Sequence, residues 1–198
     1  MRKHPVENKN LEVGTLAGGC FWCIEAAFSI IKGVKRIAPG YTGGSVSNPS
    51  YEEVSTGTTG HVEAVQVFFD PKVISYREIL EIFFTIHDPT SLNRQGADVG
   101  KQYCSAIFHS NQEQKETVEK LINELNKEGI WDKPIVTRVG PLKVFYKAEP
   151  YHKEYYKKYP KESYCQAVIV PKIAKLQHNF IDKIKMPYDK PNSRQLRR

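Results

Sequence analysis

Cys20 and Cys23 stand in the run Gly18-Gly19-Cys20-Phe21-Trp22-Cys23, a setting in which a thiol can act as a nucleophile. The run Leu11–Ala17 before it is strand-like. The run Ile24–Ile31 after it repeats its apolar residues at helical spacing, up to a C-cap at Gly33. Cys20 is therefore expected at a helix entry, where unpaired backbone N–H groups and the helix dipole favour an anion. A thiol there titrates below its free value of about 8.5, which predicts some thiolate at neutral pH. The glycines allow a sharp turn and leave room for a group approaching the sulfur. The C-x-x-C spacing is also that of a thioredoxin-like redox pair, since helical positions i and i+3 bring Cβ atoms within roughly 5–6 Å. A structural zinc needs about four ligands, and there is neither a second C-x-x-C nor a paired-histidine motif. The plainer alternative is two cysteines buried in a helix without redox chemistry.

Glu63 is the second chemical signal. It shares a strand face with Val65, Val67 and Phe69, and a carboxylate on an apolar face is costly when ionised. Its pKa should rise, which makes a general acid at neutral pH; a strand-end glutamate reaching solvent or a lysine is the alternative. Tyr41, Tyr51 and Tyr103 carry phenols near loop or strand edges that can donate to a developing charge, or simply pack. Asp98, in a glycine-flanked loop, suits a substrate N–H or an Asx turn. His61 reads as a structural histidine satisfied by backbone, and Cys104 as core. Cys165, in the polar run Lys161–Gln166 beyond Pro160, reads as a thiol able to swing toward a partner sulfur, or as an idle surface cysteine.

These residues need elements to hold them. Val34–Ala38 reads as a strand leading into a loop of turn formers, Pro39–Gly44 and Asn48–Tyr51. Val62–Phe69 is the clearest strand, closed by Asp70-Pro71. Ser75 and Glu78 make a capping box for a helix carrying Ile79, Leu80, Ile82, Phe83 and Ile86. A second long loop, Thr90–Lys101, leads into a strand over Tyr103–His109. Ser110 and Glu113 then form a capping box for a helix ending at Gly129. A short strand at Ile135–Val139, extended by Leu142–Tyr146, a Tyr/Lys-rich segment over Tyr151–Tyr159 and a less regular tail complete the chain.

The order strand, helix, strand, strand, helix, strand predicts an α+β fold: a ferredoxin-like split βαβ sandwich, with a mixed or antiparallel sheet, packed helices and an extended C-terminal segment. A doubly wound sheet is the other arrangement this alternation allows. A length of 198 residues predicts one catalytic domain over 1–198, with a core of about 11–165 and an extension over 166–198.

Composition is that of a globular protein, 40% hydrophobic and 26% charged. The net charge of +7 raises nucleic acid or an anionic membrane as partners. Interleaving of lysines with glutamates argues against both, leaving only Lys183, Lys185, Lys190, Arg194, Arg197 and Arg198 as a basic, solvated terminus. Met1–Asn10 is polar without an apolar core, and no apolar run approaches the ~18 residues of a bilayer span. The expected compartment is a reducing cytoplasm, where four cysteines point to catalysis, metal or core rather than to a disulfide framework.

Five blocks together resemble the peptide methionine sulfoxide reductase A family: Gly-Cys-Phe-Trp at 19–22, Gly-Tyr-Thr-Gly-Gly at 40–44, Asn-Pro-Ser-Tyr at 48–51, Gly-His-Val-Glu-Ala-Val at 60–65 and Arg-Gln-Gly-Ala-Asp-Val-Gly-Lys-Gln-Tyr at 94–103. The resemblance spans about Leu11–Cys165. It implies that Cys20 attacks the sulfoxide sulfur, that protonated Glu63 serves the oxygen with help from Tyr51 and Tyr103, and that Phe21 and Trp22 seat the S-methyl group. It implies that Asp98 holds the substrate backbone amide, with selectivity for the S epimer in free or protein-bound methionine sulfoxide. The resulting Cys20 sulfenic acid condenses with a second thiol, and thioredoxin reduces the disulfide. By its Tyr-Cys context Cys165 matches the resolving cysteine, with Cys23, which replaces a common glycine, as competitor. No metal or other cofactor is implied, and the chain is expected to act as a monomer. The competing function is a general C-x-x-C thiol–disulfide oxidoreductase using Cys20 and Cys23 alone.

Overall fold

The computed structural model describes residues 11–185. The chain runs β1 (Glu12–Gly18), α1 (Phe21–Ser29), β2 (Val34–Thr42), α2 (Tyr51–Ser55), β3 (Val62–Phe69), α3 (Tyr76–Ile86), β4 (Arg94–Gln95), β5 (Asp98–Val99), β6 (Ser105–His109), α4 (Gln112–Glu128), β7 (Arg138–Pro141), β8 (Phe145–Lys147), α5 (Tyr155–Lys158) and α6 (Val170–Asn179). It is a mixed α+β fold. Six strands form one sheet in the order β7-β6-β1-β3-β2-β8, antiparallel except for the parallel pair β6–β7, and β4 and β5 pair separately.

One face of the sheet carries Leu16, Val65, Val67 and Phe69 into a core completed by Phe21, Ile24 and Phe28 of α1 and Ile79 and Phe83 of α3. The opposite face holds a smaller cluster, Ala17, Val62, Ala64, Cys104 and Ala106. α1 is apolar nearly all round, as a helix must be when it is covered on both sides. α3 shows one apolar face, and its capping box of Ser75 and Glu78 is formed as the sequence indicates.

Antiparallel pairing explains where chemistry collects. Leu16 faces Val65, Thr42 faces Val62 and Gly18 faces Ser105. The C-terminal ends of β1 and β2 therefore share one edge of the sheet with the N-terminal ends of β3 and β6. The connections that leave or enter there carry Cys20, Tyr103 and the short helix α2 that begins at Tyr51, and Glu63 is the second residue of β3.

Several boundaries differ from expectation. β2 continues through Pro39-Gly40-Tyr41 to Thr42, where turn formers suggested a loop. Gly40 is there for close approach: a Cβ would overlap the Tyr146 carbonyl oxygen on β8. α1 stops at Ser29, short of the expected run to Ile31, and Gly33 turns with φ +85° into β2. The N-cap of α4 is Asn111, which accepts from Gln114 N–H at 2.8 Å, rather than Ser110; Gly129 ends that helix at φ 63° as expected. The strand expected over Tyr103–His109 begins at Ser105, after a 3-10 turn over Lys101–Tyr103; β7 starts three residues later than expected, and 142–146, expected to extend it, instead leads into β8 at the opposite edge of the sheet.

The largest correction is C-terminal. The segment after Cys165 is a π-turn over Cys165–Ile169 followed by α6, not an irregular extension. Ile169, Ile173 and Leu176 recur at helical spacing, and Ile169 and Leu176 are fully buried against the core. Two residues of the expected solvated tail are pinned. Lys183 Nζ binds the Glu78 carboxylate, and Lys185 Nζ donates to Ser29 O at 2.8 Å. Met1–Asn10, Lys190, Arg194, Arg197 and Arg198 lie outside the described residues. Among the described residues, no helix is long and apolar enough to cross a membrane.

Candidate active site

Gly19, at φ +88°, turns the chain from β1 into α1, and its missing side chain admits Gln95: a Cβ there would lie 2.7 Å from Gln95 Cβ. Gln95 is itself locked, accepting from Asp88 N–H at 2.9 Å and donating to Asp88 O at 2.6 Å. Cys20 then takes the N-cap position of α1 without making a side-chain cap. It is buried, as are Cys23 and Cys165.

Glu63 projects from β3 onto the helix face, 2% exposed, and its Oε2 accepts the Phe21 N–H at 3.0 Å. Burial is the main reason its carboxyl is pushed up to about 8; the Phe21 bond opposes this, and the Asp98 and Cys23 charges add to it. The acid form therefore dominates at neutral pH, as its apolar strand face indicates.

Cys20 is not the acidic thiol that its helix-entry position predicts. Burial holds its thiol well above the ordinary range, the hydrogen bond to Cys23 and the nearby Glu63 push it the same way, and these outweigh the dipole of a nine-residue helix. Cys23 moves the other way, to about 7, chiefly because the Cys20 thiol bonds to it, helped by Lys172 and Tyr164. The readier thiolate in this resting arrangement is Cys23.

Phenols surround the pair. Tyr51 and Tyr103 are both raised, first by burial and then by the charge of Glu63, and both feel Cys20, which sets them around the same spot. Asp98 accepts from Tyr164 OH at 2.8 Å, and that hydroxyl lies 3.4 Å from Cys23 Sγ. The Asx turn weighed for Asp98 is thus replaced by a side-chain contact. Phe21 is fully buried and Trp22 partly so. Tyr155 stacks on the indole at 3.7 Å and 6°, covering one of its faces.

Cys165 departs from its expected polar, mobile setting, for it is 0% exposed beneath its own π-turn. Tyr41 donates to Glu149 at 2.7 Å and lines the site from below as a packed phenol. His61 accepts from Gly44 N–H at 3.1 Å through Nδ1 and contacts Val46 O at 2.7 Å through Nε2, a backbone-satisfied histidine as expected. Cys104 is core.

Four participants escaped the sequence reading: Tyr164, Tyr155, His152 and Glu149. His152 Nδ1 accepts from Trp22 Nε1 at 3.1 Å, which puts its ring proton on Nε2. Glu149 accepts from both Tyr41 OH and Tyr51 N–H. His152 and Tyr155 lie in the Tyr/Lys-rich segment, Glu149 just before it and Tyr164 just after it, where helical periodicity is weak; only the adjacency of Tyr164 to Cys165 offered a signal. Among the described residues no group of three or more His, Cys, Asp and Glu is placed to hold a metal.

Neighbouring thiols beside a neutral carboxyl and clustered phenols form a site suited to two-electron thiol redox chemistry with proton delivery, which marks a thiol-based oxidoreductase. Comparison with known proteins narrows that class. Residues 12–184 match the family model for peptide methionine sulfoxide reductase. The peptide methionine sulfoxide reductase of Saccharolobus solfataricus is 54% identical over 176 residues, covering 89% of this chain and 98% of that protein. The crystal structure of reduced Mxr1 from Saccharomyces cerevisiae superposes with a TM-score of 0.73 at 35% identity, covering 80% of this chain and 91% of that one. Mxr1 in complex with Trx2 matches with a TM-score of 0.50 at 25% identity, over 78% of this chain and 89% of that one. The chain belongs to the peptide methionine sulfoxide reductase family, oxidoreductases that return methionine sulfoxide to methionine. A general C-x-x-C disulfide oxidoreductase is not favoured.

Proposed function

We propose that Cys20 is the nucleophile, and that Glu63, beside it and protonated at neutral pH, is the acid for sulfoxide reduction. Cys20 sulfur attacks the sulfoxide sulfur while Glu63 gives its proton to the oxygen, steadied by hydrogen bonds from Tyr51 and Tyr103. The hydroxyl then passes from the substrate sulfur to Cys20 sulfur as the newly formed S–S bond breaks, its electron pair staying with the substrate sulfur, so the sulfoxide sulfur gains two electrons and Cys20 loses two, and methionine departs leaving Cys20 as a sulfenic acid. The observation that carries this reading is the buried Glu63 carboxyl bonded to the residue that follows Cys20.

Phe21 and the uncovered face of Trp22 supply the seat for the S-methyl group, in keeping with the attraction of sulfur and methyl groups to aromatic rings. Asp98 serves the substrate backbone amide, and the S epimer of the sulfoxide is the preferred substrate, free or in proteins. Cys165 resolves the sulfenic acid, with Cys23 as the competing thiol. Thioredoxin reduces the disulfide, a role supported by the complex of Mxr1 with Trx2. The protein works without a metal or other cofactor, as a monomer, since every group named comes from one chain. A cytoplasmic location is supported by four free thiols. The antiparallel order β6-β1-β3-β2, with α1 and α3 as its crossovers, supports a split βαβ arrangement of ferredoxin-like type within one catalytic domain.

The test is a single round without external reductant. Reduced wild type mixed with methionine S-sulfoxide forms methionine stoichiometrically, Cys20→Ser forms none, and the R epimer is left unreduced. Methionine formed by Cys20→Ser would overturn the assignment.

A further inference from the structure

Two consecutive glycines lead into Cys20, and glycine backbone does not fix its own path, so the nucleophile is placed by what packs against them. His87, at the end of α3, fills the space at Gly18: a Cβ there would lie 3.0 Å from His87 Cδ2 and 2.9 Å from the Phe83 ring. The imidazole is buried with both nitrogens engaged, Nδ1 at 2.6 Å from Phe83 O and Nε2 at 2.8 Å from Ser105 Oγ. A carbonyl only accepts, so Nδ1 carries the ring proton and donates it. The Ser105 hydroxyl then donates to Nε2, and Thr137 Oγ1, 2.7 Å away, donates to Ser105. The bonds therefore run one way, from Thr137 through Ser105 and His87 to a carbonyl of the last turn of α3. Burial brings the imidazole down to about 4, against the Phe83 bond, so at neutral pH it is uncharged and free to accept from Ser105. Ser105 is the residue of β6 that faces Gly18 of β1. His87 thus meets the end of β1 twice, by contact at Gly18 and by a bond to its strand partner. The next residue, Asp88, holds Gln95 against Gly19 through two bonds. No step of the sulfoxide chemistry uses this imidazole.

We propose that His87 is a positioning residue for the nucleophile: by clamping Ser105 beside Gly18 it fixes the end of β1, and with it the reach of Cys20 toward the substrate sulfur. The inference rests on Cys20 as the nucleophile and deepens that reading. His87 touches neither the substrate nor the reacting atoms. Its bond to Phe83 ties off a helix end, a service that other polar side chains perform equally well. The bond to Ser105 is the one that reaches the catalytic turn. The groups assigned to substrate binding are held by other contacts: Phe21 in the core, Trp22 under Tyr155, and Asp98 by Tyr164. Losing the Ser105 bond should therefore slow the attack more than it weakens substrate binding. A misplacement of about 1 Å at a reacting group costs on the order of 10²-fold in rate.

Three substitutions separate the two bonds. In His87→Gln the amide oxygen takes the place of Nε2 and accepts from Ser105. In His87→Asn the shorter amide reaches only Phe83 O. Ser105→Ala removes the clamp and leaves the imidazole and the helix end as they are. Methionine formed in a single round without reductant is followed by rapid quench over a range of methionine S-sulfoxide concentrations. His87→Asn and Ser105→Ala should lose roughly 10- to 10²-fold in limiting rate, with the half-saturating concentration within about twofold of wild type. His87→Gln should recover most of that loss. A limiting rate in Ser105→Ala within about twofold of wild type, or a loss seen only in the half-saturating concentration, would overturn the proposal. So would a faster rate in His87→Asn than in His87→Gln, which would make His87 a helix cap alone. Ser105→Ala deletes one atom and carries the test by itself if the histidine variants do not fold. Absence of any methionine from wild type would count against the nucleophile assignment itself, a separate failure.

Discussion

Replacing Glu63 with glutamine separates proton delivery from packing. With its carboxyl at about 8, Glu63 is roughly nine-tenths protonated at pH 7, against about 0.2% for an ordinary glutamate, so burial enriches the competent acid roughly 450-fold. The amide of Glu63→Gln keeps the shape and can still accept the Phe21 N–H, yet has no proton to give. Sulfoxide reduction should fall by about 10²- to 10⁴-fold, the usual scale for a positioned general acid. The pH profile discriminates further. Wild-type kcat/KM rises as the thiol pair ionises near 7 and falls above about 8 as Glu63 loses its proton; the variant keeps the rise and loses the fall. Stability moves oppositely. A carboxyl raised from 4.5 to about 8 is still protonated in the folded chain where the unfolded chain has ionised, so stability declines across that window. The decline is at most about 5 kcal/mol, and Glu63→Gln is spared it, so at pH 9 the variant should melt higher than wild type while reducing far less substrate. A loss below about tenfold, or a falling alkaline limb that survives in Glu63→Gln, would refute the assignment.

Gly19→Ala sets a Cβ 2.7 Å from Gln95 Cβ at φ +88°, and a misplaced backbone of this kind costs roughly 1–3 kcal/mol; thermal melting should drop, and activity should fall further because the displaced residue precedes Cys20. A variant that melts and turns over like wild type would show that the Gly19 turn tolerates a side chain. Glu78→Gln keeps a residue type able to complete the Ser75 capping box but removes the charge that binds Lys183. The Glu78 carboxyl sits near 2, so its stabilisation is present above its ordinary value of 4.5 and is lost as pH falls toward 2. With 31% and 39% exposed side chains the pair is worth under about 1 kcal/mol, and the expected readout is faster amide exchange at 183–185 in Glu78→Gln, with unchanged exchange counting against the clasp.

What was legible in the sequence followed from short-range physics. Val62–Phe69 was bounded correctly because its composition and the closing Asp70-Pro71 agree. The Glu63 carboxyl was flagged because strand alternation alone fixes its face. Cys20 was found from its glycines, yet the direction of its titration was misjudged. A helix N-terminus is visible in sequence, whereas the protein that covers it is not: Tyr155, Tyr164 and the π-turn arrive from more than 130 positions later in the chain. The same long-range packing buries Cys165, whose neighbours read as polar, and draws Pro39-Gly40 into a strand that exists because β8 pairs beside it. The family blocks lie between 19 and 103, which left the 149–164 segment without a signal of comparable strength.

The covering has a chemical consequence. Glu63 raises Cys20, and Cys23 raises Glu63, so two negative charges in this pocket oppose each other. The low-dielectric site tolerates one, either a carboxylate beside thiols or a thiolate beside a carboxylic acid. Only the second arrangement can attack a sulfoxide and protonate its oxygen together. With Glu63 near 8 and Cys23 near 7, the single charge falls on sulfur across the neutral range. A proton passing from the Cys20 thiol to Cys23 moves that charge onto Cys20. A substrate sulfur, electron-poor beside its oxygen, stabilises it on Cys20 at the moment of attack. Burial, which opposes a thiolate taken alone, therefore keeps the acid and the nucleophile in complementary states.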